Sequence, residues 1–320
     1  MDAILHGKMN RRTKAVLIFN PSSGASVQSP VQLMDVIREM QALNFTPEAY
    51  LVGPDFDMEK VVKDSIAHGF RMFVVSGGDG TVSLAARMLA GTRATLGIIP
   101  TGTQNNTALS LGIPHDIPSA VAILRNGRQI KVDVGLLSCG KVKTSFLEVC
   151  SVGLVSALFP SADDIQHGNL ARVGDFITSL VGSPSAEIRL VLDGKQEIRK
   201  TGYVVLVSNM PYIGFHYKVG SDTSHLDGLL DVQFFADLTK LDLLGYVVQG
   251  VGVDNPGDPR IQHFHVRKVE IDTQPAMPVM ADGTAFGEGR VSIKVKRRAL
   301  AVMVGTSVTD QSEEAEVFVE

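Results

Sequence analysis

Three short stretches of the chain carry residue types suited to phosphate chemistry. The first is Ser76-Gly77-Gly78-Asp79-Gly80-Thr81, set between the apolar run Met72 to Val75 and a helical pattern reaching Leu89. Glycines where a strand feeds a helix let the backbone take positive φ and approach a ligand. Free N–H groups and the helix dipole there favour an anion. Asp79 is out of place beside a phosphate unless it holds a cation, directly or through water, or orients a nucleophile. A plainer reading competes: Asp79 or Thr81 caps the helix, and the glycines make a tight turn. The second stretch, GIIPTGTQNNTALSLGIP from Gly97 to Pro114, again runs strand, Gly-Thr turn, helix. Its Thr101, Thr103 and Asn105 put short polar side chains beside free helix N–H groups. The third, Phe19-Asn20-Pro21-Ser22-Ser23-Gly24, ends the first strand in the same style. Three polar turns on one sheet edge exceed what capping needs, and they predict a nucleotide or polyphosphate site.

Such turns need a scaffold. KAVLIFN, TPEAYLV, RMFVVS and ATLGIIP read as strands, alternating with helical spacing in SPVQLMDVIREMQAL, DMEKVVKDSIAHG and the segment after Gly80. A further helix is expected from about Thr103. Strands alternating with helices imply right-handed crossovers and a parallel sheet. Past Asp133 the pattern changes to short alternating segments with turn signals such as Asp193-Gly194 and Asp282-Gly283, as in an antiparallel sandwich. The expected class is therefore α/β plus β: an N-terminal Rossmann-like parallel-sheet domain, like those of phosphofructokinases and NAD kinases, and a larger antiparallel β-sandwich domain. Expected boundaries are a loose extension at 1–12, the α/β domain at 13–134, the β-rich domain at 135–300, and a C-terminal segment at 301–320 that is a candidate to return to the first domain. Helices are expected near 170–181 and 238–250.

Composition narrows the classes. A net charge of −4 gives no global drive toward nucleic acid. The 2 Cys stand alone and the 8 His are scattered, without the spacing of a zinc site or a disulfide framework. The apolar runs are too short for a signal-peptide core or a bilayer span, so a cytoplasmic protein is expected. SIKVKRR would place Lys294, Lys296 and Arg298 on one strand face, either to meet anionic headgroups or to guard a sheet edge.

Together the three turns resemble the catalytic region of the diacylglycerol/sphingosine lipid kinase family. GGDGT alone is shared with NAD kinases and phosphofructokinases; the order and spacing of all three are the specific signal. SHLDGLLDVQFF resembles that family's D-G-x-L-D-V segment, and Asp282-Gly283-Thr284 falls where the family has D-G-E. The resemblance runs over residues 13–305. It implies a Mg²⁺-dependent lipid kinase that transfers the ATP γ-phosphate to diacylglycerol or a related lipid alcohol at a membrane surface, by peripheral and reversible association. Asn20 and Ser22 would lie at the nucleotide pocket. Gly77, Gly78, Asp79, Gly80 and Thr81 would cradle the phosphates, with Asp79 also tied to magnesium, and Gly102, Thr103 and Asn105 would form the facing wall. Ser224, Asp227 and the Leu229 carbonyl would hold a structural Mg²⁺. Asp79 and Asp282 are the expected catalytic residues.

The chain also departs from that pattern. The family's N-D-F reads Asn105-Asn106-Thr107, and its D-G-E ends in Thr284, which is no base near neutral pH. Asp282 would then act alone or with Glu288, Asp163 or Asp164. An NAD-kinase-like enzyme and a non-catalytic nucleotide- or lipid-binding protein are the alternatives.

Overall fold

A computed structural model describes residues 12–24, 29–153, 184–214, 217–219, 223–242 and 258–306 of the chain. These fall into two compact units. One extends to Lys131 and takes in the chain again from Leu300; the other runs from Val132 to Ala299.

In the first unit β1 (Thr13–Phe19), β2 (Phe45–Leu51), β3 (Met72–Gly77) and β4 (Thr95–Pro100) form a parallel sheet. The order is β4-β3-β1-β2. β1, β3 and β4 are apolar runs whose Leu17, Ile18, Phe73, Val74, Leu96 and Ile98 are buried, as strands covered on both faces require. β2 is the edge, which explains how Thr46, Glu48 and Ala49 stay exposed there. Helices α1 (Ser29–Ala42), α2 (Met58–Ala67) and α3 (Asp79–Leu89) make the crossovers. Asp57 caps α2 by accepting the Lys60 amide at 3.0 Å. β1 pairs with β2 on one side and β3 on the other. The chain thus reverses its direction of winding between β1 and β3, the switch point beside which doubly wound sheets hold ligands.

The single helix expected from Thr103 is replaced by two short ones, α4 (Asn106–Ser110) and α5 (Ile117–Asn126). Asn105 sits at φ 55°, so helical geometry starts only after it. Gly112 at φ 63°, followed by Pro114, ends the first piece. Asp116 then caps α5 through the Ser119 amide at 2.9 Å, with Pro118 in the first turn.

The second unit is antiparallel. Its strands are β5 (Arg128–Cys139), which begins in the first unit, β6 (Val142–Phe146), β7 (Val149–Gly153), β8 (Ala186–Leu192) and β9 (Gln196–Ser208). A small ribbon follows, β10 (Tyr212–Ile213) with β11 (Tyr217–Lys218). Then come β12 (Leu230–Ala236), β13 (Ile261–Val266), β14 (Lys268–Gln274), β15 (Pro278–Ala281), β16 (Thr284–Glu288) and β17 (Val291–Val304). The strand order β16-β15-β7-β9-β8-β14-β17 carries β12 beside β9 and β13 beside β12, and β5 pairs with β17 and β6. Alternate side chains gather into one core that includes Phe146, Val152, Ile188, Leu190, Phe234 and Ile271. Two-residue turns at Asp193-Gly194 (φ 50°, 67°) and Asp282-Gly283 (φ 44°, 74°) close the hairpins. The last residues of β17 leave this sheet and pair in parallel with β4, Ala301 beside Thr95. Thus β17 completes the first unit. The helix expected near 170–181, most of the one at 238–250, and Asp163 and Asp164 lie outside the described residues.

Candidate active site

The turns after β1, β3 and β4 converge and are laced together. The Asn20 side-chain amide donates to Thr81 Oγ1 at 2.8 Å, and its Oδ1 accepts the Ser22 amide at 3.0 Å. Ser23 Oγ accepts the Gly78 amide at 3.2 Å. On the far side the Thr101 amide donates to the Gly77 carbonyl at 3.2 Å. Asn105 clamps its own turn, with Oδ1 accepting the Gly102 amide at 2.9 Å and Nδ2 donating to the Gly102 carbonyl at 2.7 Å. Of the expected pocket residues, Asn20, Ser22, Gly77, Gly78, Asp79, Thr81, Gly102 and Asn105 take part in this network or its packing. Thr103 stands exposed on the same turn.

The glycines have a sharper reason than flexibility. A Cβ on Gly102 would lie 2.3 Å from Gly78 Cα, and one on Gly24 would lie 2.6 Å from the Thr101 carbonyl oxygen. These residues are small because the loops touch each other. Gly80 differs, since a Cβ there meets nothing within 4 Å. Thr101, one of the polar residues expected in its turn, belongs to the cluster, and so do Ser23 and Gly24, whose signal in the sequence was membership in the same polar turns. Among the described residues, the buried hydroxyls of Ser76 and Thr101 have no hydrogen-bond partner. Buried orphan hydroxyls beside a polar loop cluster suit a ligand or water.

Asp79 is the first residue of α3, and its Oδ1 accepts the Thr107 amide at 3.1 Å, in the first turn of α4. It therefore caps a helix other than its own. The cap residue of α3 is Gly78, which makes no side-chain cap bond, so no side chain satisfies the first-turn amides of α3 in that way.

In the second unit Asp282 does not stand as a free base. Its Oδ2 accepts the Leu147 amide at 2.7 Å, and Oδ1 accepts those of Glu148 and Val149 at 2.9 and 3.1 Å. With three amides of the turn between β6 and β7 bound to its two oxygens, Asp282 organises that turn. Asn209 grips the same segment from its carbonyl side: Nδ2 donates to Leu147 O at 2.8 Å and to Asp133 O at 3.0 Å, and its backbone amide to Glu148 O at 2.8 Å. The buried Glu148 is thereby fixed beside Asp282. Thr284 is exposed, as is Glu288.

Asp133 was passed over in the sequence, although an aspartate inside an apolar strand was its signal. It is wholly buried, and its two oxygens accept the Arg298 amide at 2.6 Å and the Gly228 amide at 2.7 Å. Burial pushes its carboxyl pKa up, partly offset by those two bonds. Desolvation likewise raises Asp231 to about 6, opposed by His265, whose Nε2 lies 2.7 Å from Asp231 Oδ1. His225 is buried with no partner for either ring nitrogen among the described residues, and burial lowers it to about 4.

The residues expected at the structural metal site lie in one turn that is organised by its own amides. Ser224 Oγ accepts the Leu226 amide at 3.2 Å, and Asp227 Oδ1 accepts the Leu229 amide at 2.8 Å. Among the described residues no group of three or more His, Cys, Asp or Glu side chains is placed to hold a metal ion. Ser224, Asp227 and the Leu229 carbonyl stand in this one turn, with Asp227 as the carboxylate of the set.

A switch-point site of three laced polar turns on a parallel sheet, carried with an antiparallel β-rich unit, defines a class of two-unit α/β-plus-β proteins. Residues 14–137 match the diacylglycerol kinase catalytic domain, and residues 161–304 match the YegS C-terminal NAD kinase beta sandwich-like domain. A diacylglycerol kinase of Staphylococcus carnosus is 32% identical over 87% of this chain and 90% of its own length. That of Bacillus subtilis is 25% identical over 86% and 90%. A crystal structure of a diacylglycerol kinase from Bacillus anthracis shares the fold, with a TM-score of 0.69 over 92% of this chain and 98% of that one at 21% identity. The chain belongs to the diacylglycerol kinase family.

Proposed function

We propose that the protein is an ATP-dependent lipid kinase, transferring the γ-phosphate to the hydroxyl of diacylglycerol or a related lipid alcohol. The observation that carries this reading is the meeting of the Asn20, Gly78 and Gly102 turns around the uncapped start of α3, with the Ser76 and Thr101 hydroxyls unpartnered beside them. Phosphoryl transfer asks mainly for positioning and neutralisation of charge. Amides at the start of α3 and the side chains of Asn20, Thr81 and Thr103 would hold the phosphates. Mg²⁺ brought with the nucleotide would supply positive charge to them, and Asp79 is the carboxylate at hand to hold it. Acceptor binding would fall to the second unit, where Asp282 shapes the turn that carries Glu148.

One observation favours a second reading, a binding protein that kept the fold: the carboxylate of Asp282 is engaged by three amides and position 284 carries Thr. Purified protein with labelled ATP, Mg²⁺, NAD and mixed micelles of diacylglycerol and other lipid alcohols separates the two. Label in a lipid supports the kinase, tight ATP binding without transfer supports the binding protein, and label in NAD alone would overturn both.

A further inference from the structure

We propose that Glu148 takes the proton of the acceptor hydroxyl, and that Asn209 and Asp282 are the positioning residues that aim it. The assignment rests on the kinase reading above and names the base which that reading leaves open.

The corner that carries Glu148 is held more fully than its connection requires. β6 pairs with β5, and β7 pairs with β9 and β15. Leu147 and Glu148 therefore turn the chain between strands with different partners, and they are not a hairpin tip. There Asp282 and Asn209 engage every backbone N–H and C=O of three successive residues. The Asp282 carboxylate accepts the amides of Leu147, Glu148 and Val149, and its own amide donates to the Val149 carbonyl at 3.0 Å. Asn209 supplies the remaining donors, Nδ2 to Leu147 O and its backbone amide to Glu148 O, both at 2.8 Å. On this fixed main chain Glu148 is only 6% exposed. A buried carboxylate on an immobile backbone is what a general base needs, because its reach and direction are set before the substrate arrives.

The neighbouring carboxylates serve the fold. Asp133 holds the Gly228 and Arg298 amides, Asp282 holds three amides, and Asp231 faces His265. A second observation points to a ligand beside the corner. Asn209 Oδ1 belongs to the same amide group that grips Leu147, and it is buried with no hydrogen-bond partner among the described residues. So is Ser208 Oγ, whose residue lies directly opposite Val149. Both residues are 0% exposed, and buried polar atoms left unmatched suit a polar ligand group.

In the step itself, the Glu148 carboxylate takes the hydroxyl proton as the hydroxyl oxygen bonds to the γ-phosphorus. The bond from that phosphorus to the bridging oxygen breaks, its electron pair leaves on ADP, and Glu148 releases the proton to solvent after the phosphorylated lipid departs.

Single-turnover transfer from labelled ATP to diacylglycerol in mixed micelles, with ATP titrations and thermal melts alongside, tests the assignment. Glu148→Gln should slow transfer ~10²–10⁴-fold and bind ATP like wild type. Glu148→Ala should be equally slow and should regain rate with added formate but not with chloride, a rescue that a structural role does not give. Asn209→Ala should also be slow, and formate should not restore it, because its carboxylate is present but misaimed. If the glutamine variant does not fold, Glu148→Asp keeps the charge and withdraws it by one methylene, for a loss on the order of a hundredfold. A Glu148→Gln or Glu148→Asp variant as fast as wild type overturns the assignment, as does a loss in Glu148→Ala that formate leaves untouched. Label in no lipid with the wild-type chain overturns the kinase reading, and the assignment with it.

Discussion

The Asp79 carboxylate and the Thr107 amide meet at 3.1 Å, joining the starts of two helices that follow neighbouring strands. One residue thereby fixes the turn that leads into α4 and stands at the start of α3. Asp79→Ala should lower stability by about 0.5–2 kcal/mol, the usual loss for a missing cap. Asp79→Asn keeps an acceptor and should melt close to wild type, while transfer to lipid falls far more than ATP binding does. Thermal melts, ATP titration and turnover on the three proteins check this. Unchanged turnover in Asp79→Asn would remove Asp79 from the chemistry.

Gly102 and Gly80 should respond in opposite ways to the same methyl group. Gly102→Ala puts a Cβ 2.3 Å from Gly78 Cα, so the two turns must part. A loss of about 2 kcal/mol and at least tenfold weaker ATP binding are expected. At Gly80, inside α3, nothing lies within 4 Å, and alanine gains up to about 1 kcal/mol of helix propensity. Gly80→Ala should therefore melt no lower than wild type. Weaker ATP binding in that stable variant would show that the ligand, not the fold, demands glycine there.

Removing the Asp282 carboxylate should be felt as lost structure. Asp282→Ala strands three amides and places alanine at φ 44°, for a cost of about 3 kcal/mol or more. Asp282→Asn keeps one oxygen for Glu148 and Val149 and tolerates that φ, so its loss should be smaller. Chemical denaturation gives the ranking, and a fully stable alanine variant would contradict the geometry.

Turnover should report the missing acid at 284. Thr284→Glu restores a carboxylate on an exposed strand position and should raise lipid phosphorylation if proton removal limits the rate. Glu148→Gln should lower it by ~10²–10⁴-fold if Glu148 takes the proton, with the acid limb of the pH–rate profile shifted. A fall in Thr284→Glu would mean that the site is built around Thr284.

Acid should act on the second unit through two opposed groups. His225 has a folded pKa of about 4, below its ordinary 6.5, so between those values the unfolded chain holds the extra proton and stability falls as pH falls. The gap corresponds to about 3 kcal/mol. Asp231 is raised to about 6 from 3.8, so between those values the folded chain holds the extra proton and acidification stabilises. His225→Leu removes the first slope and keeps the second. Urea titrations at pH 7 and pH 4.5 should show the variant gaining on wild type at the lower pH.

Much of this was legible in the residues because the first unit is locally consistent. Apolar runs, helical spacing and polar turns each pointed to the same parallel sheet, and the turns around Asn20, Gly78 and Gly102 do converge. What could not be read is which partner a polar group takes. Asp79 serves a helix 28 residues away, and Asp282 binds amides some 135 residues earlier in the chain. No local pattern encodes such pairings. The helix expected from Thr103 failed for a related reason: Asn105 spends its side chain on Gly102 and adopts a left-handed backbone that delays helix formation. Burial of Asp133 was visible only as an oddity in an apolar strand until the amides of Gly228 and Arg298 gave it a purpose.

The parallel pairing of Ala301 with Thr95 has a consequence for synthesis. A ribosome emits β4 roughly two hundred residues before the strand that covers its outer side, a delay typical of high contact order. Until then the nascent first unit carries an open edge beside Thr95 and Leu96, the kind of edge that recruits other chains. A chain cut before Leu300 would keep every loop of the proposed nucleotide site and still lack the strand that closes its sheet. The half that carries the proposed nucleotide site is therefore not a module that can be separated by trimming at residue 131.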